Sequence, residues 1–577
     1  MTAGKSAFRV SSVSLTAVRL VILGIALIGA SLIFLVDSAA GQDATATPTP
    51  VVMSLPMESG QYFDTSGVCA TCHINMFDEH GNDISFATDW AATMMGNSGR
   101  DPYWRAGLRR ETLENPDFSD FIQDKCATCH MPMARTTVNL AAGEYLQVLD
   151  EGGAIDPNSP YHLLALDSVS CTLCHQITPE HLGTREGTSG HYTIDGVTDQ
   201  LQRVIYGPFL PDATQAAFMQ ASTGGVQTVG DHISDSELCA SCHTLYTPYF
   251  DVDTRELAPV EFQEQMPYEE WLHSDYRLNE SCQTCHMPVV DGLASVASLG
   301  NPIPAMRTEV SQHTLLGGNV YLPRILQAFS EELEVAATDE QLQQYIDLTR
   351  LQLREDTARV ALQTVTITDN VLSFDVFIQS LVGHKFPTAY PSRRTWLHVT
   401  VRDAAGNVVF ESGGYNPDGS IIGNDNDENA LLFEPHYDLV TSPDEVQIYE
   451  PVMGDTAGNP TTTLLLASQY LKDNRILPFG FDKNTVPVEV AVWGEAATDS
   501  DFIGGSDRVT YQIPVTSAQG LTIEVEMLYQ TLGFRWADNL RGYADPDTAP
   551  EIVTFLRYYE AVPNTPELID TAAAQVP

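Results

Sequence analysis

The chain has 577 residues, a length that favours two or three domains over one. Hydrophobic residues make up 43% of it, so a sizeable core is possible and wholesale disorder is excluded. The 29 Lys and Arg against 76 Asp and Glu give a net charge of −47, which argues against nucleic acid as a partner because two polyanions repel. This acidity fits simple solvation or a basic partner.

The N-terminus reads as an export segment. Basic residues precede an uncharged apolar run of 17 residues, 20–36, which is at the short limit for spanning a bilayer. Ser38 and Ala40 are small residues placed as in a cleavage site. We therefore predict a signal peptide or membrane anchor at 1–41, followed by a Thr/Pro-rich tether at 42–57. Either form exports the rest of the chain to the periplasm or the outer face of the membrane.

The next region repeats one short motif, C-x-x-C-H, five times, and these copies use all ten cysteines. Two cysteines three positions apart lie on one face of a helical turn, so both thiols can reach the vinyl groups of one porphyrin. The histidine that follows lies on the same face, where its imidazole becomes the proximal iron ligand. The copies are Cys69, Cys72 and His73; Cys126, Cys129 and His130; Cys171, Cys174 and His175; Cys239, Cys242 and His243; and Cys282, Cys285 and His286.

Other uses of paired cysteines explain this pattern less well. Zinc sites, thiol redox pairs and disulfides all use such pairs, but none requires a histidine after every pair. We therefore predict five covalently bound haem c groups. The helical periodicity of this region is short and irregular, and haem would supply the core that it lacks. Residues 58–358 are predicted to form a mostly helical, irregular multihaem cytochrome domain.

The pattern changes near residue 338. A capping box, Thr338 with Gln341, predicts a closing helix over 338–357. Period-2 alternation then begins, with a turn at Asp369-Asn370, and predicts an antiparallel β-sandwich-like domain with a C-terminal tail over 359–577. The overall fold class is thus predicted as α+β multidomain. The predicted strands are 360–367, 372–378, 396–401, 408–410, 488–492, 509–513 and 521–525.

Stretches beside the haem motifs resemble a family of multihaem cytochromes. That family includes the tetrahaem cytochrome of hydroxylamine oxidation, octahaem tetrathionate reductase, hydroxylamine oxidoreductase and pentahaem nitrite reductase. The resemblance covers roughly 68–412, with a weaker echo at 470–475. It rests on the five motifs and on W-x-x-T-x-M at 90–95, R-D-P at 100–102, H-M-P-M at 130–133, L-C-A-S-C-H-T-L-Y at 238–246, Q-T-C-H-M-P at 283–288 and G-H-K-F-P-T at 383–388.

The resemblance implies distal iron ligands. Relatives carry W-x-x-S-x-H, and Met95 stands where that histidine would be, so a His/Met haem with a raised potential is expected there. Met94 is the alternative. The G-H-K-F-P-T element resembles a ligand loop of the family and implies His384. His313, in the sequence QHTLLGGN, lies where relatives carry a similar ligand.

Further candidates come from position along the chain. Ten histidines lie outside the motifs. His162 and His232 lie shortly before the third and fourth motifs and are predicted to ligate neighbouring haems, with His191 in reserve. Arg393 and Arg394 form a basic pair that either binds haem propionates or is simply exposed.

Two functions fit these features. The first is a relay that moves electrons outside the cytoplasm, because five haems attached within 218 residues must pack closely. The second is a redox enzyme acting on a small nitrogen or sulfur compound at an open haem. Pentahaem nitrite reductases carry a C-x-x-C-K site, which this chain lacks, so the relay is favoured and no catalytic residue is assigned. Expected partners are redox proteins with a basic docking surface, and a membrane through the N-terminal segment.

Overall fold

The fold is described from a computed structural model, which covers residues 54–300, 305–516 and 519–576. The predicted export segment at 1–41 and most of the predicted tether lie outside these residues. Within the described ranges, no helix combines the length and the apolar character needed to cross a membrane.

Helices carry the five motifs, as the cysteine spacing predicts. The fourth and fifth motifs end the helices Ser236–His243 and Cys282–His286, and in the first motif His73 N donates to Cys69 O at 3.0 Å. The α-helices are α1 (Ser66–Ala70), α2 (Phe86–Ala91), α3 (Pro102–Glu114), α4 (Ser119–His130), α5 (Pro132–Ala142), α6 (His162–Leu166), α7 (Cys171–Cys174), α8 (Ala213–Thr223), α9 (Ser236–His243), α10 (Pro267–Leu272), α11 (Cys282–His286), α12 (Tyr321–Ala328), α13 (Asp339–Glu355), α14 (Asp425–Glu428), α15 (Phe534–Asp538) and α16 (Pro550–Ala561).

Strands concentrate after residue 357, which confirms the mixed helix and strand content. Two short pairs, β1 with β2 and β3 with β4, lie among the motifs. The strands are β1 (Val204–Gly207), β2 (Val226–Val229), β3 (Leu245–Phe250), β4 (Leu257–Gln265), β5 (Ala358–Thr368), β6 (Val371–Ser380), β7 (Arg394–Arg402), β8 (Val408–Ser412), β9 (Leu439–Val440), β10 (Ile448–Tyr449), β11 (Pro451–Gly454), β12 (Gln469–Asp473), β13 (Ser506–Pro514), β14 (Leu521–Gln530) and β15 (Glu567–Val576).

Two of the described sheets enclose one hydrophobic core. One has the strand order β10-β7-β14-β15 with β8 beside β7, and the other has the order β5-β6-β13-β9. Every second residue of β6 is buried, so one face of the strand lies inward. Phe374 and Tyr511 stack there with ring centroids 5.2 Å apart. The β13–β9 pair is parallel, so this sheet is mixed, whereas its β5–β6 and β6–β13 pairs are antiparallel as predicted.

Local signals at the start of this region are confirmed. Thr338 and Gln341 form the predicted capping box of α13. Asp369 and Asn370 join β5 to β6 with φ values of 51° and 62°, the left-handed conformations that a two-residue type I′ hairpin turn requires.

One predicted strand is absent. Within 488–492, Val488–Val490 forms a 3-10 turn in which Val490 N donates to Pro487 O at 3.2 Å. Pro487 has no N–H and the Val490 N–H is used inside the turn, so neither residue can donate to a sheet ladder.

The motif region and the β region pack against each other. The described residues form a single packed unit, in which α3 packs on α16. Tyr103 of α3 contacts Phe555 of α16 with ring centroids 5.3 Å apart. The predicted boundary at 358 therefore marks a change from helix to strand inside one packed unit.

Candidate haem-binding sites

The ten motif cysteines are free thiols that form no disulfide with one another. Each pair lies on one helical turn beside its histidine, as covalent attachment to one porphyrin requires. Burial raises the pKa of the Cys174 thiol to about 12, so this group is a protonated thiol at neutral pH. The placement of each cysteine pair beside its histidine thus fits haem attachment.

Four of the five motif histidines are held in one tautomer. They hydrogen-bond through Nδ1 to backbone carbonyl oxygens, and because a carbonyl only accepts, Nδ1 carries the proton and Nε2 keeps its lone pair for a metal. The partners are Val296 O at 2.8 Å for His73, Ser98 O at 3.3 Å for His130, Tyr206 O at 2.5 Å for His175, and Leu316 O for His286.

The structure brings His313 opposite His175. Their ring centroids are 6.4 Å apart and their planes differ by 17°. His313 Nδ1 donates to Ser311 O at 3.2 Å, so both rings keep Nε2 as the free nitrogen. Two metal–nitrogen bonds of about 2 Å each, plus the distance from each ring centre to its nitrogen, fill this separation. Burial lowers the pKa of His313 to about 3, which keeps the ring neutral as ligation requires.

A second pair repeats this geometry. His286 and His384 have ring centroids 6.3 Å apart with planes 11° from parallel. His384 Nδ1 donates to Lys385 O at 2.8 Å. Burial lowers the pKa of His384 to about 4. Two predicted distal ligands therefore each lie opposite a proximal histidine with the spacing that one iron would fill.

Met95 lies beside the second motif. Its carbonyl accepts from the Ser98 hydroxyl at 3.3 Å, and the same hydroxyl lies 2.8 Å from His130 O. Met94, the alternative, packs against a core cluster that includes Trp90 and Tyr345. The neighbourhood favours Met95 over Met94, while its ligation stays a prediction.

The two histidines chosen by position are placed differently. His162 has both ring nitrogens engaged, Nδ1 with Ala154 O at 3.2 Å and Nε2 with the Glu334 carboxylate at 3.2 Å, so it offers no free lone pair. This arrangement speaks against His162 as a ligand. His232 donates from Nε2 to Ile177 O at 2.9 Å, which leaves Nδ1 as its only nitrogen for a metal.

The motifs adjoin one another through their cysteines. Cys69 lies beside Cys171, and Cys129 lies beside Cys242, close enough in each pair for one thiol to shift the pKa of the other. Cys239 lies in the same way beside Cys282, whose N–H donates to Ser236 Oγ of α9 at 3.0 Å. The third and fourth motifs meet where Cys174 approaches Cys239 and Cys242. The five motifs therefore form one continuous cluster.

Gly190 lies at the contact between the second and fourth motifs. Its φ is +79°, and a Cβ there would lie 2.2 Å from Thr128 Cγ2 and 3.4 Å from Cys129 Sγ. Its N–H donates to Ser241 O at 2.6 Å. Only glycine meets both conditions. His191, the reserve ligand, follows directly.

Sequence reasoning missed two aromatic neighbours of the sites. The Trp104 indole lies parallel to the His130 ring, with centroids 4.4 Å apart and planes 5° apart. Phe86 contacts both His73 and His313, at 5.8 Å and 4.3 Å between centroids. A core aromatic on a helix looks the same in sequence whether or not it borders a cofactor, so no signal distinguished them.

The basic pair is divided between two roles. Arg394 is buried, pairs with Asp427 at 2.9 Å and donates to Gln530 and to Gly419 O, so its guanidinium is fully used within the fold. Arg393 is half-buried, donates to Thr388 O at 2.8 Å and lies close enough to His243 and His384 to lower their pKa values. Of the pair, Arg393 is the one placed to meet a haem propionate.

A second cluster of metal-type side chains lies in the β region but fits a metal poorly. His436 Nε2 is 3.0 Å from Asp499 and 4.0 Å from Asp507. The amide groups of Gln447 and Asn474 both donate to His436 Nδ1, at 2.9 Å and 3.1 Å. Nδ1 is therefore the acceptor and Nε2 carries the proton, so Nε2 donates to the carboxylates and cannot bind an ion.

Comparisons with known proteins add little. No family model matches the chain, and no curated protein matches it. Among solved structures, a penta-heme cytochrome c552 from Thermochromatium tepidum is similar over 89% of this chain and 98% of its own, with 15% sequence identity and a TM-score of 0.47. A likeness this distant carries no argument about the fold or the function, which rest on the sites themselves.

Proposed function

We propose that the chain is a multihaem c-type cytochrome that binds five haem c groups and relays electrons. One observation carries this proposal: His175 faces His313 and His286 faces His384, at 6.4 Å and 6.3 Å, each with its Nδ1 proton on a carbonyl. Two neutral imidazoles on opposite sides of a haem iron form the six-coordinate site of an electron carrier. When bound, haem supplies the one-electron chemistry, and the chain supplies attachment, axial ligands and burial.

The adjacency of the motifs supports a relay over separate redox sites. Adjacent thiols link the first motif to the third, the second to the fourth, and the fourth to the fifth. Since each thiol is a predicted attachment point, porphyrins bound there would be near neighbours. An electron that enters at one end of the cluster then reaches the others without crossing bulk protein.

The setting of the relay follows from the sequence. The predicted N-terminal export segment supports a location in the periplasm or at the outer face of the membrane, with that segment either removed or kept as an anchor. The net charge of −47 favours redox partners with a basic docking surface, because opposite charges speed the encounter.

The mass and the paramagnetic resonance spectrum of the purified protein test the proposal. The mature polypeptide should exceed its amino-acid mass by five haem groups, and its oxidised spectrum should be dominated by low-spin iron. His313→Ala should convert one haem to high-spin iron. His398→Ala is the matched control, since His398 bonds only to carboxylates and a hydroxyl on the β sheet and should leave the spectrum unchanged. A mass without haem would refute the proposal.

One observation favours a second function, reduction or oxidation of a small nitrogen or sulfur compound. In the described part of the chain, no histidine is paired with His243 as His313 is with His175. Arg393 lies near His243, and its cation would attract a small anion. A high-spin signal in the wild-type spectrum that shifts on adding nitrite would favour this enzyme.

A further inference from the structure

A cluster of buried charges surrounds the loop that carries His384. It consists of Glu270 on α10, Lys385 in the loop, and Asp473 and Arg475 at the end of β12, and we call it the buried ion cluster. Lys385 Nζ lies 2.7 Å from Asp473 Oδ2. Arg475 bridges the two acids, at 2.8 Å from Asp473 Oδ2 and 2.8 Å from Glu270 Oε1. The four side chains are between 0% and 6% exposed.

The cluster holds the backbone next to His384. Glu270 Oε2 accepts from Lys385 N at 3.1 Å and from the Thr388 hydroxyl at 2.5 Å. Phe386 N donates to Ile476 O at 2.8 Å, and Ile476 N donates to Phe386 O at 2.9 Å, which ties the loop to the strand end beside Arg475. Lys385 O is the acceptor of His384 Nδ1. The Lys385 carbonyl, which orients the His384 ring, thus belongs to a residue whose N–H and side chain are both held by the cluster.

Stability alone does not account for this arrangement. Two cations and two anions are buried together, so the charges balance, yet desolvating them offsets much of what their attraction contributes. Well-packed apolar residues would stabilise the same space about as well. What the charges add is direction, because each carboxylate oxygen accepts, and each N–H donates, only along a preferred bonding axis.

We infer that the buried ion cluster positions His384 as the second axial ligand opposite His286, with Glu270 as its central positioning residue. The inference rests on the proposed haem ligation. The two Glu270 oxygens face different sides: Oε1 forms an ion pair with Arg475, and Oε2 accepts from the loop. A glutamine side chain has one oxygen acceptor and one N–H₂ donor. In Glu270→Gln, the N–H₂ group would therefore face another donor, either the Arg475 guanidinium or Lys385 N.

The test compares Glu270→Gln with wild type, His384→Ala and a matched control. In Glu270→Gln, the low-spin signal that His384→Ala removes should weaken or shift, and the midpoint potential of that haem should change, while the mass still shows every haem attached. Glu450→Gln is the control. This variant alters the ion pair between Glu450 and Lys472, whose Oε1 and Nζ atoms are 3.2 Å apart. Lys472 lies on β12 and is as buried as Lys385, but its Nζ pairs with Glu450 and not with the loop. The spectrum of this variant should be unchanged.

Each outcome separates this inference from the proposal beneath it. A Glu270→Gln spectrum and potential identical to wild type would overturn the positioning role while leaving the haem ligation intact. Absence of haem from the wild-type protein would instead refute the proposed function. If Glu270→Gln does not fold, Thr388→Val removes a single loop bond to Glu270 and should shift the same signal. An unchanged signal in that variant would likewise overturn the inference.

Discussion

At the scale of single residues, the position of one hydrogen decides which histidines can hold iron. His313 and His384 donate a hydrogen bond from Nδ1 to a carbonyl and keep Nε2 for a metal. In contrast, both nitrogens of His162 are engaged, and His436 carries its proton on Nε2. The sequence offers ten histidines of equal appearance outside the motifs. Resemblance to known cytochromes selected His313 and His384, whereas position along the chain selected His162. The sequence could not show that the Glu334 carboxylate engages His162, because Glu334 is remote in sequence.

Met95 provides a prediction at this scale. Its replacement by histidine should lower the highest midpoint potential in a redox titration, because a thioether ligand holds iron at a higher potential than an imidazole does. The shift should be a measurable fraction of the roughly 0.8 V range that axial ligands span. Met94→His should leave that potential in place, since Met94 packs in the core. An unmoved highest potential in Met95→His would remove Met95 from the ligands.

At the scale of elements, local patterns predicted what local interactions determine. The alternation of β6, the capping box of α13 and the five motif turns all arise within a few residues, and each is confirmed. The two-residue strand β9 was not predictable, because it forms only by lying parallel to β13, about seventy residues further along the chain. The buried ion cluster was missed for the same reason, although the echo at 470–475 marked half of it.

The turn between β5 and β6 provides the element-scale prediction. Asn370 has a φ of 62°, a conformation that costs a residue with a Cβ about 1–2 kcal/mol and that asparagine tolerates better than alanine because its short polar side chain hydrogen-bonds locally. Asn370→Ala should therefore lower the free energy of unfolding in urea by about 1 kcal/mol. Asn370→Gly, which adopts this conformation freely, should be neutral or stabilising. Equal losses in both variants would show that the turn conformation is not what the asparagine contributes.

At the scale of the whole molecule, stability towards acid depends on buried carboxylates. Burial alone would raise the pKa of Asp473, but the adjacent Arg475 and Lys385 cations outweigh it and lower that pKa to about 2. The unfolded chain has an ordinary pKa near 3.9 there. The depressed value therefore stabilises the fold above about pH 4, on the order of 2 kcal/mol, and that contribution is lost as the pH falls towards 2.

Asp473→Asn tests this contribution. The variant should be less stable at pH 7, because two buried cations lose their partner, and its stability should fall less steeply than that of wild type between about pH 5 and pH 2. Circular dichroism during acid and urea titration measures both effects. Asp253→Asn, at an exposed position, serves as the control and should follow wild type. A variant with the wild-type acid slope would contradict the assignment to Asp473.

The positions of His313 and His384 in the chain also determine the order in which the predicted haem sites would be completed. Both come after the last attachment motif, and His384 follows directly on β6, so a nascent chain that emerges N-terminus first presents all its C-x-x-C-H sites before either partner imidazole. On the proposed ligation, the third and fifth haem sites would at first have only one axial histidine each, which would leave the other axial position open to small molecules. Folding of the chain beyond the fifth motif would then complete both sites, and a chain truncated directly after His286 would lack both second imidazoles.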